Sequence, residues 1–567
     1  ACIEDTAVAL PDLKAFIGEF TDIMAGYGQD AVYYAHAGAG ELHLRPILNL
    51  KKSKDTALFR AITTDVAKLT KKYKGSFSGE HGDGIVRAEF IPLMIGNKNY
   101  ELLKRIKTYF DPTNIFNPGK IVDAYPMDAS LRYEIDRKEP EVGTLMDFSD
   151  SEGILKASEK CNGSGDCRKT HHMAGTMCPS YHATKNERDS TRGRANALRE
   201  FLTHSDQKNP FDRPELKEVF DLCLSCKACA SECPSNVDIA TLKTEFLYQY
   251  QEANGYPLRS KLFAHNTKFS RLGSKIARLT NLVYSSSVLG GLLKKSAGID
   301  QRRSLPKVFD FDFNGHLIRC RSQHKISKRK VILFIDEFTQ YLDVDLGKDA
   351  ITVLCRLGYE VELFYAESGR TYLSKGFLKQ AKKIAEDNIS KLKVFAHDNT
   401  PVLGLEPSAI LTFRDEYKRL SSDSETTDAI ALNAFLIEEF LSREIQKGDI
   451  SASNFTSAVR QVKIHSHCHQ KALSDQKVTF DMLNLPVNYT VSIINSGCCG
   501  MAGSFGYEKE HYDISMKIGE LKLFPSIRKT SGETLIAANG TSCRHQILDG
   551  TGRKAQHPIS IFKEALL

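Results

Sequence analysis

No stretch of this 567-residue chain reaches about 18 uncharged apolar residues in a row, so a membrane-spanning helix is excluded. The nearest approach, Leu279 to Leu293, is short and diluted by Ser and Gly. A secretory leader is also lacking, and the expected location is cytoplasmic. The chain opens on Ala1 rather than Met, which implies a processed chain or a piece of something longer. A strong charge bias is missing too. Lys and Arg number 77 against 70 Asp and Glu, and a net charge of +7 is too small at this length to make nucleic acid the main partner. Apolar residues at 41% and charged residues at 26% exclude bulk disorder. At the usual domain size the length predicts about three to five domains.

Cysteine is what the chain does have. Of 14 cysteines, seven fall between Cys161 and Cys233, four more are Cys468, Cys498, Cys499 and Cys543, and only Cys2, Cys320 and Cys355 stand alone. A disulfide scaffold would be short and Cys-dense throughout. Clustered thiols in a long chain without a leader read as metal ligands in a reducing compartment.

Composition separates the chain into regions. Residues 1–123 mix helical and strand patterns, and residues 124–155 are acidic and irregular, as in a linker. Residues 156–255 set the first Cys cluster among helical stretches. Residues 256–330 form a basic helical connector with 17 Lys and Arg against 3 Asp and Glu. Residues 331–567 alternate strand and helix as two tandem units, 331–455 and 456–567. The apolar runs Val331–Ile335, Val361–Tyr365, Ile410–Phe413, Val462–His465, Val491–Ile494 and Leu535–Ala538 suit buried parallel strands. Helices are expected between them, for example over Asp349–Leu357 and Ala429–Ile445.

The run Cys223-Leu-Ser-Cys226-Lys-Ala-Cys229-Ala-Ser-Glu-Cys233-Pro234 has the C-x2-C-x2-C-x3-C-P spacing of a bacterial ferredoxin 4Fe–4S loop. A structural zinc site would instead use pairs of C-x2-C set far apart. Upstream lie Cys161, Cys167 and the pair Cys178-Pro179, with Ser164 where a middle Cys would fall. In two-cluster ferredoxins the fourth Cys of each run ligates the other cluster. That divides the ligands into Cys223, Cys226, Cys229 and Cys178 for one cluster and Cys161, Cys167 and Cys233 for a second. The second set is one thiolate short. A 3Fe–4S centre, a water, or His171 or His172 would complete it. Such clusters take electrons singly, so a two-electron organic donor needs a converter such as a flavin.

Two His-bearing loops stand near the start. His36-Ala-Gly-Ala-Gly-Glu41-Leu-His43 follows a short apolar run, and Gly79-Glu80-His81-Gly82-Asp83-Gly84 follows a helical stretch. Two His and a carboxylate form a common set for a divalent metal acting as a Lewis acid, here Zn, Mn or Fe. These loops, with Phe110-Asp111-Pro112 and Asn117-Pro118-Gly119-Lys120 after them, resemble the C-terminal domain of FAD-linked oxidases of the vanillyl-alcohol-oxidase type. That family includes D-lactate, glycolate and D-2-hydroxyglutarate dehydrogenases. The resemblance spans residues 1 to about 123. It implies that His36, His43 and Glu80 hold the metal, that His81 takes the substrate hydroxyl proton, and that Asn117 and Lys120 lie in the segment closing over the flavin. Ala39 and Glu41 depart from the family pattern. It also implies that FAD is held mainly by an upstream domain lacking here.

Three further motifs sit at expected strand ends: His465-Ser-His467-Cys468-His469, Gly497-Cys498-Cys499-Gly500 and Gly540-Thr-Ser-Cys543-Arg544-His545. They resemble the CCG domain of heterodisulfide reductase and glycolate oxidase iron–sulfur subunits, which implies an iron–sulfur cluster or zinc on Cys468, Cys498, Cys499 and Cys543. Glu367-Ser368-Gly369-Arg370 and Ala409 fall where an earlier copy would carry its cysteines, so the first unit is expected to keep the fold without the metal.

The whole therefore resembles the bacterial fused FAD and iron–sulfur D-2-hydroxyacid dehydrogenases. The implied fold is a multidomain α+β and α/β chain: a partial FAD-linked oxidase C-terminal domain, a helical ferredoxin domain and a two-unit CCG-type α/β domain. The implied activity is oxidation of 2-hydroxyglutarate, lactate or glycolate to the 2-oxo acid, with electrons passing to a quinone or carrier protein. Two other readings stand beside it, an electron-transfer subunit serving a separate flavoprotein and a heterodisulfide-reductase-like thiol redox protein. The basic stretch 256–330 would suit the anionic face of a membrane or a solvated surface equally.

Overall fold

The structure is a computed structural model and describes residues 3–173, 175–396 and 398–567, so Cys2 lies outside it. The chain divides into two compact units, Ala1–Glu139 and Pro140–Leu567.

In the first unit, strands β1 (Ile3–Ala7), β2 (Ala31–His36) and β3 (Glu41–Pro46) form an antiparallel sheet in the order β1-β3-β2. Helices Leu13–Gly26 and Ser53–Lys72 cover one face of it. The first presents Phe16, Phe20 and Met24 at helical spacing, and the second Phe59, Ile62, Val66 and Leu69, all buried against Leu42 and Leu44 of β3. Because side chains alternate along a strand, Glu41 and His43 then fall on the opposite face.

The linker expected over residues 124–155 is not one free segment. Met127 is buried in the first core, and Arg60 Nε donates to Asp128 at 2.7 Å. Met146 and Phe148 are buried in the core of the second unit. The spacing of Met127, Met146 and Phe148 sets up no period that the sequence could reveal.

The second unit begins with short helices around the first Cys cluster. Helices Thr191–His204, Pro214–Asp221 and Ile239–Asn254 share a core in which the rings of Phe220 and Phe246 stack at 5.1 Å. The basic stretch folds as helices Leu258–Ala264, Asn266–Ser274, Ala277–Ser285 and Leu289–Ser296. No helix of the described residues is long and apolar enough to cross a membrane.

Two parallel sheets follow, giving the α/β region its paired form. β4 (Lys330–Ile335), β5 (Glu360–Tyr365), β6 (Val402–Gly404) and β7 (Ala434–Leu436) lie in the order β5-β4-β6-β7. β8 (Arg460–His465), β9 (Tyr489–Ile493) and β10 (Leu535–Ala538) lie in the order β10-β8-β9. Two expectations fail in the first sheet. Ile410–Phe413 is helical, not a strand, because Pro407 opens a helix capped by Glu406, whose carboxylate accepts from Ser408 N at 3.2 Å. Burial all round left that run without a readable period, and the strand is the shorter Val402–Gly404. The single helix expected over Ala429–Ile445 is two, Ser424–Asn433 and Ile437–Gln446, with β7 between them.

In each sheet the chain leaves the first strand to one side and returns on the other. That puts a switch point between β4 and β6 and another between β8 and β10, where open α/β sheets place ligands.

Candidate redox and metal sites

The first site lies on the uncovered face of the antiparallel sheet. Pairing sets His36 opposite Glu41 and Tyr34 opposite His43, so His36, Glu41 and His43 project together. The turn between the strands runs through Gly40 at φ 77°, where a Cβ would meet Val8 O at 2.1 Å, so only glycine fits. His43 Nδ1 donates to the Glu4 carbonyl, which leaves Nε2 bare toward the site. Glu80 reaches in from the loop after helix Ser53–Lys72, its Oε1 at 3.7 Å from His36 Nε2 and 3.9 Å from His43 Nε2. His81 Nε2 is 3.3 Å from the same oxygen, and its ring stacks on His43 at 5.4 Å.

Asp5 on β1 anchors that loop, a role no sequence motif announces. Its carboxylate accepts from Glu80 N at 2.9 Å, His81 N at 3.0 Å and Ser78 Oγ at 2.9 Å, with Arg87 Nη1 at 3.2 Å. Burial works to raise its pKa, but those amides, the hydroxyl and the guanidinium outweigh it and hold it at about 2. Glu41 is the reverse case. Burial, then Asp5 and Glu80, push its pKa up, and its buried Oε1 has no hydrogen-bond partner. Ligand atoms of His36, His43 and Glu80 lie within 4.8 Å of one another. A bare imidazole nitrogen, two crowded carboxylates and an orphaned buried oxygen fit a divalent cation. Asn117 and Lys120 lie exposed on the segment held by Asp111, which accepts from Ile115 N and Phe116 N at 2.8 Å each. No hydrogen bond or ion pair among the described residues joins them to the His–Glu group.

In the second unit Cys178, Cys223, Cys226 and Cys229 line one cavity of about 310 Å³ with Thr191, Arg194 and Ile239. Cys161 and Cys233 are the cysteine neighbours of Cys167 and add to the burial that raises its thiol pKa. Both groups meet the N-terminus of helix Thr191–His204, which Ser190 caps by accepting from Gly193 N at 3.0 Å. Thr191 N donates to Cys178 Sγ at 3.1 Å and Arg192 N to Cys167 Sγ at 3.3 Å. Helix-terminal amides and their dipole favour anionic sulfur, so this one terminus serves both groups. Burial pushes the Cys178 thiol up to about 12 and raises Cys226 and Cys229 well above the usual range. Those thiols need a bound cation to ionise, which is what iron supplies. Between Cys226 and Cys229, Lys227 is 2% exposed, with Glu416 at 3.0 Å and Asp415 also paired to its ammonium. His171, an expected completing ligand, lines a separate cavity of about 350 Å³ with His182, Cys498 and Lys522.

The third site sits at the switch point of the last sheet. The loops after β8, β9 and β10 bring Cys468, Cys498, Cys499 and Cys543 together. A hydrogen bond from Cys498 lowers the Cys468 thiol to about 6, and Cys498 and Cys543 hold Cys499 well below the usual range while rising themselves. His465, at the end of β8, joins them. Its Nδ1 is 2.8 Å from Ser496 Oγ, its buried Nε2 has no partner, and its ligand atom lies within 4.8 Å of those of Cys499 and Cys543. Lys471 Nζ donates to the carbonyls of Ser496 and, at 3.2 Å, Gly497. His465 and Lys471 were missed by counting cysteines, although His465 opens the His465-Ser-His467-Cys468 motif.

At the matching place in the first sheet there is no sulfur among the described residues. Ser368 donates to Glu337 from N and Oγ at 2.7 Å each, and Arg370 pairs with Glu416. Ala409 is fully buried where a Cys would project.

Residues 1–121 match the family described as FAD linked oxidases, C-terminal domain, and residues 157–237 the 4Fe-4S dicluster domain. The chain thus joins an FAD-linked oxidase C-terminal domain to a 4Fe–4S dicluster domain. It is similar to D-2-hydroxyglutarate dehydrogenase of Pseudomonas putida, 29% identical over 611 residues that cover 99% of this chain and 58% of the relative. The enzyme of that name from Escherichia coli is 27% identical over 615 residues, again 99% and 58%. One subunit of the anaerobic glycerol-3-phosphate dehydrogenase of Escherichia coli is 28% identical over 337 residues, 59% of this chain and 83% of that relative. The chain spans 58% of the length of the two D-2-hydroxyglutarate dehydrogenases.

Proposed function

We propose that this chain carries the substrate-binding and electron-relay parts of a flavin- and iron–sulfur-dependent D-2-hydroxy acid dehydrogenase, with 2-hydroxyglutarate the first substrate to test and lactate and glycolate after it. The observation that carries this reading is the His36–His43–Glu80 group with His81 stacked on His43 at 5.4 Å. His36, His43 and Glu80 would hold a divalent metal, which supplies Lewis acidity that lowers the pKa of a bound hydroxyl. His81, whose ring stacks on His43 beside Glu80, would accept the hydroxyl proton at Nε2. Asp5 keeps Glu80 and His81 in register by holding both of their amides. Bound FAD would supply two-electron chemistry, and 4Fe–4S clusters on the Cys161–Cys233 thiolates would supply one-electron chemistry. Asn117 and Lys120 would border the flavin. Exposed apolar side chains support a flavin-bearing partner surface on the first unit: Tyr34 is 58% exposed, and Phe110, Ile115 and Phe116 are also open.

Cys178, Cys223, Cys226 and Cys229 would hold one cluster and Cys161, Cys167 and Cys233 a second. Cys468, Cys498, Cys499 and Cys543 would hold a further metal, as an iron–sulfur cluster or zinc. The acceptor would be a quinone or a carrier protein. Helices of the basic stretch support a membrane-facing route, since Leu272, Leu282, Val288 and Leu292 are each more than 60% exposed beside Lys268, Arg271, Lys275 and Arg278.

A second reading, an electron-transfer protein serving a separate flavoprotein, draws on the likeness to the glycerol-3-phosphate dehydrogenase component, which matches this chain over 83% of its own length. Anaerobic titration with D-2-hydroxyglutarate of the native protein, carrying any flavin-binding segment encoded in frame with this chain and loaded with FAD, separates the two. Bleaching of flavin absorbance followed by reduced-cluster EPR signals supports the first. Flavin that bleaches only when a separate flavoprotein is added supports the second. Colourless, iron-free material after full reconstitution ends both.

A further inference from the structure

We infer that His465 is a metal ligand, and that the site at the β8–β10 switch point is a mixed imidazole–thiolate pocket for a single zinc-class ion. The inference rests on reading the C-terminal cysteines as a metal site and decides what kind of site it is.

The first argument is the state of the imidazole. His465 is 1% exposed, and its Nδ1 is already used by Ser496 Oγ at 2.8 Å. Ser496 Oγ donates its own hydrogen to the Ile494 carbonyl at 3.4 Å and so accepts from Nδ1, which leaves Nε2 with a free lone pair. Nε2 is buried and has no hydrogen-bond partner. Leaving a buried polar atom unsatisfied is costly, and a cation placed against the lone pair removes that cost. A ring held from behind by a hydroxyl with its other nitrogen bare is the usual outer-shell arrangement of a ligating histidine.

The second argument is size. The ligand atoms of His465, Cys499 and Cys543 all lie within 4.8 Å of one another. Zinc bonds of about 2.0–2.1 Å to nitrogen and about 2.3 Å to sulfur put tetrahedral donors about 3.5–3.8 Å apart. A cluster sets several irons between its thiolates and needs them farther apart. The backbone gives no slack, because a Cβ on Gly540 would meet His467 Cδ2 at 2.4 Å and Cys543 Sγ at 3.3 Å. Cys498, whose thiol bonds to that of Cys499, is the nearest further sulfur for the fourth position.

A zinc-class ion changes no oxidation state. Electrons therefore end their passage through this chain at the ferredoxin-type clusters, and the third site fixes the loops after β8, β9 and β10 to one another.

Cobalt(II) is the probe, since its sulfur-to-metal charge-transfer absorption cannot arise at the sulfur-free His36–His43–Glu80 group. The full-length chain, with its iron–sulfur clusters loaded, is titrated with Co²⁺ as wild type, His465→Ala, His465→Cys, Ser496→Ala and Cys543→Ala. The expected result is a charge-transfer band at one Co²⁺ per chain, lost in Cys543→Ala. Affinity should fall more than about 100-fold in His465→Ala and about 10–100-fold in Ser496→Ala, the range for an outer partner. His465→Cys should restore binding with a stronger sulfur band, which separates ligand loss from misfolding. Unchanged affinity and band in His465→Ala overturn the assignment of His465. Extra iron and a cluster EPR signal that survive Cys226→Ser and vanish in Cys543→Ala overturn the single-ion site while leaving the metal reading intact. Wild type with neither a thiolate–cobalt band nor that extra iron defeats the underlying reading as well.

Discussion

His469 Nε2 lies 3.1 Å from the main-chain oxygen of Ser225, tying the loop after β8 to the middle of the ferredoxin-type run. The imidazole is 7% exposed, and burial first, then His467, Arg370 and Lys227, hold its pKa well below the ordinary histidine range, so it stays a neutral donor. Cys226 and Cys468 stand on either side of this contact and feel each other's charge. His469→Ala should leave the Ser225 carbonyl unpaired at a cost of about 1–3 kcal/mol. The melting temperature of the loaded protein should fall by several degrees, and cluster iron should be lost faster to chelator. Unchanged values for both would show that the contact holds nothing.

Lys227 is the second point to probe. Its buried ammonium faces Asp415 and Glu416, with Arg370 sharing Glu416. Removing one member of a buried charge group typically costs about 3–5 kcal/mol, because the others are left uncompensated. Lys227→Met should lower the melting temperature by about 10 °C. Adding Asp415→Asn should recover part of the loss. A single variant as stable as wild type would mean that water reaches the group.

A pH dependence follows from Glu438. Burial pushes its carboxyl up to about 8, and both of its oxygens are buried without a hydrogen-bond partner. An acid whose folded pKa exceeds its unfolded one favours the folded state at low pH. The unfolded chain ionises from about pH 4.5 while the folded chain keeps its proton, so stability drains away as pH rises toward 8. Glu438→Gln should therefore match wild type near pH 5 and melt several degrees higher near pH 8. A constant difference across that window, followed by differential scanning fluorimetry, would contradict the shift.

Asp5 gives the opposite sign. Its pKa is held at about 2, so its stabilising bonds are complete above about pH 4 and are lost as pH falls toward 2. At neutral pH the effect is one of positioning. Asp5→Ala should free the Glu80–His81 loop and weaken Mn²⁺ or Zn²⁺ binding at the first site by about 10–100-fold. Isothermal titration of the full chain measures this, and equal affinities would remove Asp5 from the site.

Strong local signals made much of the fold legible. β4, β5, β8, β9 and β10 announce themselves as short apolar runs, and the helices between them as periodic stretches. β6 and β7 did not, because three residues each are too few to show a period and Pro407 with Glu406 turned the neighbouring apolar run into a helix. The cysteines were visible from spacing alone. Asp5, His465 and Ser496 were not, because their work is done through contacts between residues distant in sequence: Asp5 reaches the loop at Glu80 and His81, and His465 at the end of β8 reaches Ser496 in the loop after β9.

The first α/β unit shows what replaces an ion in such a scaffold. Where sulfur would gather, Ser368 on Glu337 and Arg370 on Glu416 close the loops with proton-borne and ionic bonds supplied wholly by the chain. Among the described residues that switch point holds no sulfur for an oxidant to attack and no ligand set for a chelator to empty. Under oxidative stress or iron shortage, damage would stay confined to the sulfur-bearing loops, and reloading could start from a platform that never came apart.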